Sequence, residues 1–272
     1  TADDAAAIAA AVTALGVTGV TTLAQFYTAY DAVVNPQVNV FSLTGGIDAL
    51  TGGTANSTFN APLSNSIMTL SSLDNLDGGG GTDTLTATIN AAGTYTPTLT
   101  SVENVHVIST AAATFSLASA TGVAVVENIN STAVGTFSNI PSTDVALKLS
   151  NTGQNATFGY TAAAVAGAAD AATLTVSDIT AGTVTIAGIE TLNLISSGSA
   201  NVLTGLTTAN ATTLNVSGDQ TITLGTVGTT VTTINAATAT AAVTAAATNT
   251  TGAAVTGGSG NDVLTGVGGN DT

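Results

Sequence analysis

A glycine-rich motif near the end of the chain constrains the fold more than any other feature. Residues 257–265 read Gly-Gly-Ser-Gly-Asn-Asp-Val-Leu-Thr. They fit G-G-x-G-x-D-x-U-x at every fixed position, where U is a large apolar residue, and this pattern is typical of the calcium-binding turn of a parallel β-roll. Glycine permits positive φ, and aspartate offers the hard oxygen that calcium prefers. A second complete copy occupies residues 78–86, so the sequence predicts stacked strands joined by calcium-binding turns.

The predicted calcium ligands are the glycines and aspartates at the motif positions. The complete copies contain Gly78, Gly79, Gly81, Asp83, Gly257, Gly258, Gly260 and Asp262. Partial copies and their flanks add Asp48, Asp74, Asp77 and Asp271. In an acidic chain these residues favour a divalent-cation binder, and the alternative is an acidic surface that only confers solubility.

Partial copies continue the same nine-residue frame. Residues 43–51 keep an aspartate and a leucine, residues 52–60 keep both leading glycines but have Ser57 at the aspartate position, and residues 69–77 keep Asp74 and Leu76. Residues 266–272 begin another copy that stops before its apolar position. We therefore expect that more repeats follow in a longer chain.

The charge balance excludes several classes of partner. Sixteen acids, one basic residue (Lys148) and no arginine give a formal net charge of −15. Binding to nucleic acid or to an anionic membrane through a basic patch is excluded, because nothing would neutralise the phosphates. No apolar stretch is long enough to predict a transmembrane helix. The absence of cysteine is compatible with an extracellular bacterial protein that calcium stabilises.

Hydrophobic patterning predicts a mostly β protein with a small helical segment at its N-terminus. Residues 1–38 read as two helices, either a cap on the open end of a solenoid or a hairpin that docks a neighbour or the cell surface. Residues 39–90 are predicted to form a calcium-binding, β-roll-like segment. Residues 91–256 are predicted to form a β-solenoid, and residues 257–272 to begin a second, truncated roll.

Short alternating strands at regular spacing predict the solenoid. Alternation is clearest at 84–89, 102–107, 145–149, 173–176, 183–186, 191–194, 213–216, 221–224 and 231–234. An apolar-x-apolar pattern begins at Leu174, Leu192 and Leu214, and a related strand contains Ile234. The steps between these strands are unequal, but a repeat of roughly 20 residues indicates stacked rungs that share one narrow core.

The three glutamates follow related local patterns. Residues 102–107 resemble residues 189–194, and residues 126–129 are a shorter relative. Each glutamate (Glu103, Glu127 and Glu190) is either a calcium ligand or partner contact, or a turn residue that accepts backbone N–H bonds.

Residues that would support catalysis are scarce, so we expect no enzyme activity. The chain has one histidine, His106, and no cysteine, and one histidine cannot build a zinc site alone. The pairs Thr183/Thr185 and Thr221/Thr223 suggest ice binding as a weaker alternative. Ice binding needs strict register from rung to rung, and the unequal steps argue against it.

With these motifs, the chain resembles the repeat-in-toxin (RTX) type of bacterial surface-layer (S-layer) protein, as in Caulobacter and its relatives. The resemblance rests on the two complete nonapeptides, the run 43–60 and the segment 188–194, and covers most of residues 40–272. It implies type I secretion, folding outside the cell when calcium is met, and assembly into a lattice at the bacterial cell surface. Self-association is the main expected contact, and outer-membrane lipopolysaccharide is a further candidate partner.

The nonapeptide also occurs in adhesins, so a calcium-dependent adhesin or biofilm-matrix protein is the main alternative. The chain differs from long toxin-type rolls because its motifs are isolated. In those rolls calcium lies between turns two repeats apart on the same side. We therefore expect other acids to complete each site here.

Overall fold

The chain folds as a parallel β-solenoid, as the sequence predicts. The computed structural model describes residues 39–266 and residue 272, and all regular structure within them is β-strand. The strands form three parallel sheets and one antiparallel hairpin. The predicted helical segment 1–38 and the predicted ligand Asp271 lie outside the described residues.

Strands are numbered in chain order, and each turn of the solenoid adds one strand to the first sheet. This sheet has eleven strands: β1 (Asn39–Ser42), β3 (Ser57–Ala61), β7 (Thr84–Ile89), β10 (Asn104–Ser109), β13 (Val125–Ile129), β15 (Ala146–Ser150), β17 (Ala171–Ser177), β19 (Thr191–Ser197), β21 (Thr213–Gly218), β23 (Thr233–Ala239) and β25 (Ala254–Thr256).

The second sheet faces the first across the core. It has nine strands: β8 (Thr94–Tyr95), β11 (Ala113–Ser116), β14 (Gly135–Ile140), β16 (Ala156–Tyr160), β18 (Thr183–Ile186), β20 (Asn201–Thr207), β22 (Ile222–Val227), β24 (Val243–Ala246) and β26 (Val263–Thr265). A short third sheet contains β2 (Ala49–Thr51), β6 (Asn75–Asp77), β9 (Thr98–Thr100) and β12 (Ala120–Thr121), and the hairpin is β4 (Leu63–Ser64) with β5 (Ile67–Met68).

Alternation along each strand decides which side chains enter the core. In β7 the inward residues Leu85, Ala87 and Ile89 are buried, whereas the intervening threonines are only half-buried. Successive side chains of a strand point to opposite faces, so this pattern leaves one apolar and one polar face. The bounds predicted for the strands 84–89 and 183–186 are those observed.

Buried side chains form one continuous hydrophobic cluster from Leu43 to Ala253. Under the second sheet, Phe115, Phe137 and Phe158 stack because parallel in-register pairing places equivalent residues directly above one another. The rings of Phe137 and Phe158 are stacked with centroids 5.3 Å apart, and those of Phe115 and Phe137 are tilted at 6.4 Å. This column places three large side chains in a core built mostly from smaller ones.

The register of the rungs corrects one sequence-based alignment. Leu174 pairs with Leu194, and Ala172 lies opposite Leu192, so this step is longer than an alignment of Leu174 on Leu192 predicts. Leu192 pairs with Leu214 and Leu214 with Ile234, as predicted. The alternation of apolar residues matches equally well after a shift from one inward position to the next, which is why the sequence alone favoured the wrong leucine.

Two turns of the solenoid are longer than the others. They separate Thr58 from its partner Thr84, and Leu147 from its partner Leu174. The first long turn contains the β4–β5 hairpin, and the second contains the irregular segment 161–170. Both insertions leave the first sheet unbroken because they lie in connections outside it.

Copies of the nine-residue motif that follow one another along the chain do not stack on one another in the fold. Residues 52–60 lie directly beneath residues 78–86, with Thr58 opposite Thr84. The partial copies 43–51 and 69–77 stack in the third sheet, with Leu50 opposite Leu76. Neighbouring copies along the chain therefore occupy different sheets, and each stacks on a copy from another turn.

Candidate calcium-binding turns

Asp83 closes the turn of the first complete nonapeptide, directly before β7. The residue is 0% exposed. Its Oδ1 accepts the N–H of Ser57 from the preceding rung. Its Oδ2 is buried and has no hydrogen-bond partner among the described residues. A buried carboxylate oxygen without a donor lowers the stability of the folded protein, so a hydrogen-bond donor or a cation beside Oδ2 would be favourable.

The glycines of this turn form a cradle that no other residue fits. A Cβ on Gly78 would overlap both the carbonyl oxygen of Ser101 and the carboxylate of Asp83. Gly79 has a φ of +82°, and a Cβ there would overlap the carbonyl of Gly53. Gly78 thus brings the carbonyl of Ser101 close to the Asp83 carboxylate, and Gly79 packs against the carbonyl of Gly53.

The electrostatics of the turn favour a cation. Burial raises the pKa of Asp83 above its ordinary value, hydrogen bonds from Ser57 partly offset this, and the negative charges of Glu103 and Asp77 raise it further. No basic side chain forms an ion pair with Asp83 in the described part of the chain. Calcium takes six to eight oxygen ligands, including carboxylates and carbonyls. The residues around Asp83 therefore fit a calcium ion.

Glu103, on the following rung, touches the same turn. Its Oε2 accepts the N–H of Asp83 at 2.7 Å, and Oε2 of Glu190 accepts the N–H of Asp170 at 2.8 Å. Both glutamates are turn residues that accept backbone N–H bonds, one of the two alternatives from the sequence. Glu127 differs because it lies within β13, opposite His106.

Asp262, in the second complete nonapeptide, uses both carboxylate oxygens within the protein. Oδ1 accepts the N–H of Val243 at 2.9 Å, and Oδ2 accepts the N–H of Gly258 at 2.7 Å. The carboxylate approaches Gly257 as that of Asp83 approaches Gly78. A Cβ on Gly260 would overlap the backbone of the preceding rung, as one on Gly81 would. The two complete motifs precede different sheets, many rungs apart, because Asp262 comes before β26 and Asp83 before β7.

Two further predicted aspartates cap turns along the third sheet. Asp74 is buried, and its two oxygens accept the N–H groups of Asp48 at 3.0 Å and Ser71 at 2.7 Å. Burial raises the pKa of Asp74 above the ordinary value, against these hydrogen bonds. Asp48 accepts the N–H of Thr44 at 2.8 Å. Both carboxylate oxygens of Asp74 therefore have a donor, and the bond from Asp48 joins two stacked turns.

Asp77 is close to the Asp83 turn, and its Oδ1 accepts the N–H of Gly79 at 3.0 Å. The structure thus brings together Asp77, the motif glycines, Asp83 and Glu103. Within residues 39–266, no three acidic or histidine side chains cluster closely enough to hold a metal by themselves. A calcium ion in this turn would therefore draw several ligands from backbone carbonyls.

The sequence left open whether Glu103 is a calcium ligand or partner contact, or a turn residue that accepts backbone N–H bonds. The signal that could have assigned it is its separation from Asp83, which equals one 20-residue step of the solenoid. That separation has no meaning until the register of the first sheet is known.

One column of threonines runs along the outer face of the second sheet. Pairing places one threonine on each of six successive rungs: Thr94, Thr114, Thr136, Thr157, Thr185 and Thr207. The unequal steps do not break this register, contrary to the sequence-based argument, because length differences are absorbed in the connections. Thr183, however, lies opposite Gly205, so the predicted Thr-x-Thr pairs do not form a second column there.

No protein-family profile matches the chain, and no curated protein is significantly similar to it. In the part of the chain that the structure describes, no helix is long and apolar enough to span a membrane.

Proposed function

We propose that this chain is a structural, self-assembling protein of the bacterial cell surface, whose folding and lattice assembly depend on calcium. The observation that carries the proposal is the buried, unpartnered Oδ2 of Asp83, which lies in a glycine cradle within the described residues. The surface-layer assignment itself rests on the resemblance of the nonapeptides and their surroundings. Type I secretion, an extracellular location and contact with lipopolysaccharide are parts of the same proposal.

Calcium would contribute to folding because the turn exists only in the folded chain. Ser57, Asp83 and Glu103 lie on three successive rungs, and the unfolded chain does not hold them together. A ligand that binds only the folded state stabilises it by mass action. Calcium would also offset the charge that desolvation penalises at Asp83.

Assembly would use the long sides of the solenoid. The two main sheets have eleven and nine strands and therefore offer extended, repetitive faces. At a net charge of −15 two copies repel each other, and a divalent cation between carboxylates would reduce that repulsion. Heterologous contacts of this kind propagate instead of closing into a small oligomer. No step in this role requires catalysis.

The test is a calcium titration of the purified chain with circular dichroism, light scattering and negative-stain electron microscopy. We expect more β signal and a higher Tm with calcium, ordered sheets or filaments at saturating calcium, and dispersed chains after chelation. Asp83→Asn should shift the calcium midpoint upward. Asp219→Asn is the matched control, since Asp219 is exposed and belongs to no motif.

An unchanged β signal and Tm across the titration would refute calcium-dependent folding. Calcium-dependent folding with monomers at every calcium level would instead favour the adhesin alternative.

The continuous threonine column supports ice binding as a second candidate function. Thermal hysteresis that Thr136→Lys abolishes would support that function, and its absence in the parent protein would exclude it.

A further inference from the structure

The relationship between Asp83 and Glu103 occurs a second time, where no motif marks it. The N–H of Asp170 donates to Oε2 of Glu190 at 2.8 Å, and the N–H of Asp83 donates to Oε2 of Glu103 at 2.7 Å. In both cases the glutamate lies 20 residues after the aspartate, on the next rung. We call each such pair an Asp–Glu step.

The backbone around the two steps is also equivalent. The carbonyl of Glu103 accepts two N–H groups from the next rung, those of residues 124 and 125, at 2.8 and 2.9 Å. The carbonyl of Glu190 accepts those of residues 212 and 213 at 2.9 and 3.2 Å. Each glutamate is therefore held by the rungs on both sides, which fixes where its carboxylate lies.

Each step contains a carboxylate oxygen that the protein leaves uncompensated. Oδ2 of Asp170, like Oδ2 of Asp83, is buried and has no hydrogen-bond partner within the described ranges. Asp83 is wholly buried, and Asp170 is partly buried as a residue. Both carboxylates lie against a glycine. A Cβ on Gly167 would be 2.8 Å from Oδ1 of Asp170, and one on Gly78 would overlap the Asp83 carboxylate.

The two steps also share a position in the fold. Asp83 and Asp170 each end one of the two long turns, which connect β3 to β7 and β15 to β17 in the first sheet. Both residues directly precede the strand that follows, β7 or β17. The two aspartates therefore enter the first sheet in the same way, each after an insertion that the shorter turns do not have.

We propose that each Asp–Glu step is a calcium site shared between two successive rungs, with Asp83 and Glu103 in one and Asp170 and Glu190 in the other. The inference rests on the proposed function for Asp83, adds the glutamates as ligands, and adds the site at Asp170. Without a cation, two carboxylates on adjacent rungs repel each other, and the buried oxygen has no counter-charge. A hard cation bound by carboxylate and carbonyl oxygens would reduce this repulsion and give the buried oxygen a counter-charge.

Isothermal titration of the full chain with calcium chloride tests the stoichiometry. We expect Asp170→Asn and Glu190→Gln each to lose one calcium equivalent relative to the parent protein. Asp83→Asn should lose a different equivalent, so Asp83→Asn with Asp170→Asn should lose two. Asp219→Asn, the exposed control, should lose none. Glu190→Gln keeps an oxygen that can accept the Asp170 N–H, so this variant separates the loss of a calcium ligand from the loss of the turn contact.

Thermal unfolding in chelator and in calcium provides a readout that a purely structural role would not produce. In chelator, Asp170→Asn should unfold at the same temperature as the parent or higher, because it removes an uncompensated charge. In calcium it should gain less in Tm than the parent does. An equal decrease of Tm in both buffers would overturn the ligand role and leave Asp170 as a turn residue.

The outcomes for the two sites are distinguishable. If Asp83→Asn loses an equivalent and Asp170→Asn does not, the Asp170 site is wrong and the proposed function stands. If the parent protein binds no calcium, both proposals fail.

Discussion

His106 and Glu127 lie side by side on adjacent strands of the first sheet, with Nε2 of His106 3.3 Å from Oε2 of Glu127. The other oxygen of Glu127 accepts the hydroxyl of Ser150 at 2.5 Å. Lys148, the only lysine, lies opposite Glu127 on the next strand. The two side chains able to carry positive charge thus flank one glutamate in a chain that is otherwise acidic.

Reversing the charge of Glu127 should destabilise the solenoid. Glu127→Lys places a positive charge directly opposite Lys148 and removes the acceptor of the Ser150 hydroxyl. Like charges directly opposite each other on adjacent strands are destabilising, and cross-strand pairs contribute roughly 0.2–1 kcal/mol each. We expect the free energy of unfolding to fall by about 1–2 kcal/mol in chemical denaturation, less at high salt. Asp219→Lys is the exposed control. Equal effects of the two substitutions would contradict a stabilising role for Glu127 between His106 and Lys148.

Glycines at close rung contacts should not tolerate a side chain. Gly79 combines a φ of +82° with a close approach to the carbonyl of Gly53, so Gly79→Ala should cost more than about 1 kcal/mol of unfolding free energy. A methyl group on Gly45 would have no neighbouring atom within 4 Å, and Gly45 has no positive φ, so Gly45→Ala should be close to neutral. Thermal melts of both variants in chelator check the contrast without any contribution from calcium.

Truncation of the aromatic column should be the most damaging core change. Phe137 is 1% exposed and lies between two phenylalanine rings, so Phe137→Ala should cost about 3–5 kcal/mol. Phe137→Leu should cost about 1.5 kcal/mol or less, because it keeps most of the volume. Val202→Ala, at a side chain that is 40% exposed, is the surface control. A loss at Phe137→Ala no larger than that control would show that the column does not support the core.

Calcium-free protein should lose stability as pH rises through the pKa of Asp83. The folded-state pKa of Asp83 lies above its ordinary value of 3.8 because of burial. The folded state therefore binds the proton more tightly than the unfolded state, and stability from this group declines between the unfolded and folded pKa values. The pKa of Asp74 shifts the same way. The measurement that isolates Asp83 is therefore the difference in the free energy of unfolding between the parent and Asp83→Asn, across a pH series in chelator.

The difference should grow in favour of Asp83→Asn as pH rises above the ordinary pKa of 3.8 and through the folded-state pKa, because the variant never carries the buried charge. Saturating calcium should reverse the order at neutral pH. A pH-independent difference in chelator would mean that Asp83 is not desolvated in the folded protein.

Sequence alone determined the fold class and the inner and outer faces of the strands. Strict alternation in residues 84–89, together with turns rich in glycine and asparagine, predicts a strand with one buried face, and no distant contact is needed to read it. The nonapeptide also predicted glycines with positive φ, which Gly79 and Gly81 have, whereas the contacts that these glycines make with other rungs needed the structure. The alternative of a turn role for Glu103 and Glu190 was likewise readable from their position before a strand.

Only the tertiary structure decided which rungs pair and which acids meet. Leu174 has apolar candidates at Leu192 and Leu194 that alternation cannot separate, and the packed core selects the second. Asp170 resembles no motif, and its equivalence to Asp83 depends on Glu190 lying one rung away. The physical reason is that strand periodicity is local, whereas register follows from how connections of unequal length close over one core. Connection length is free to vary as long as each strand returns with the same face inward.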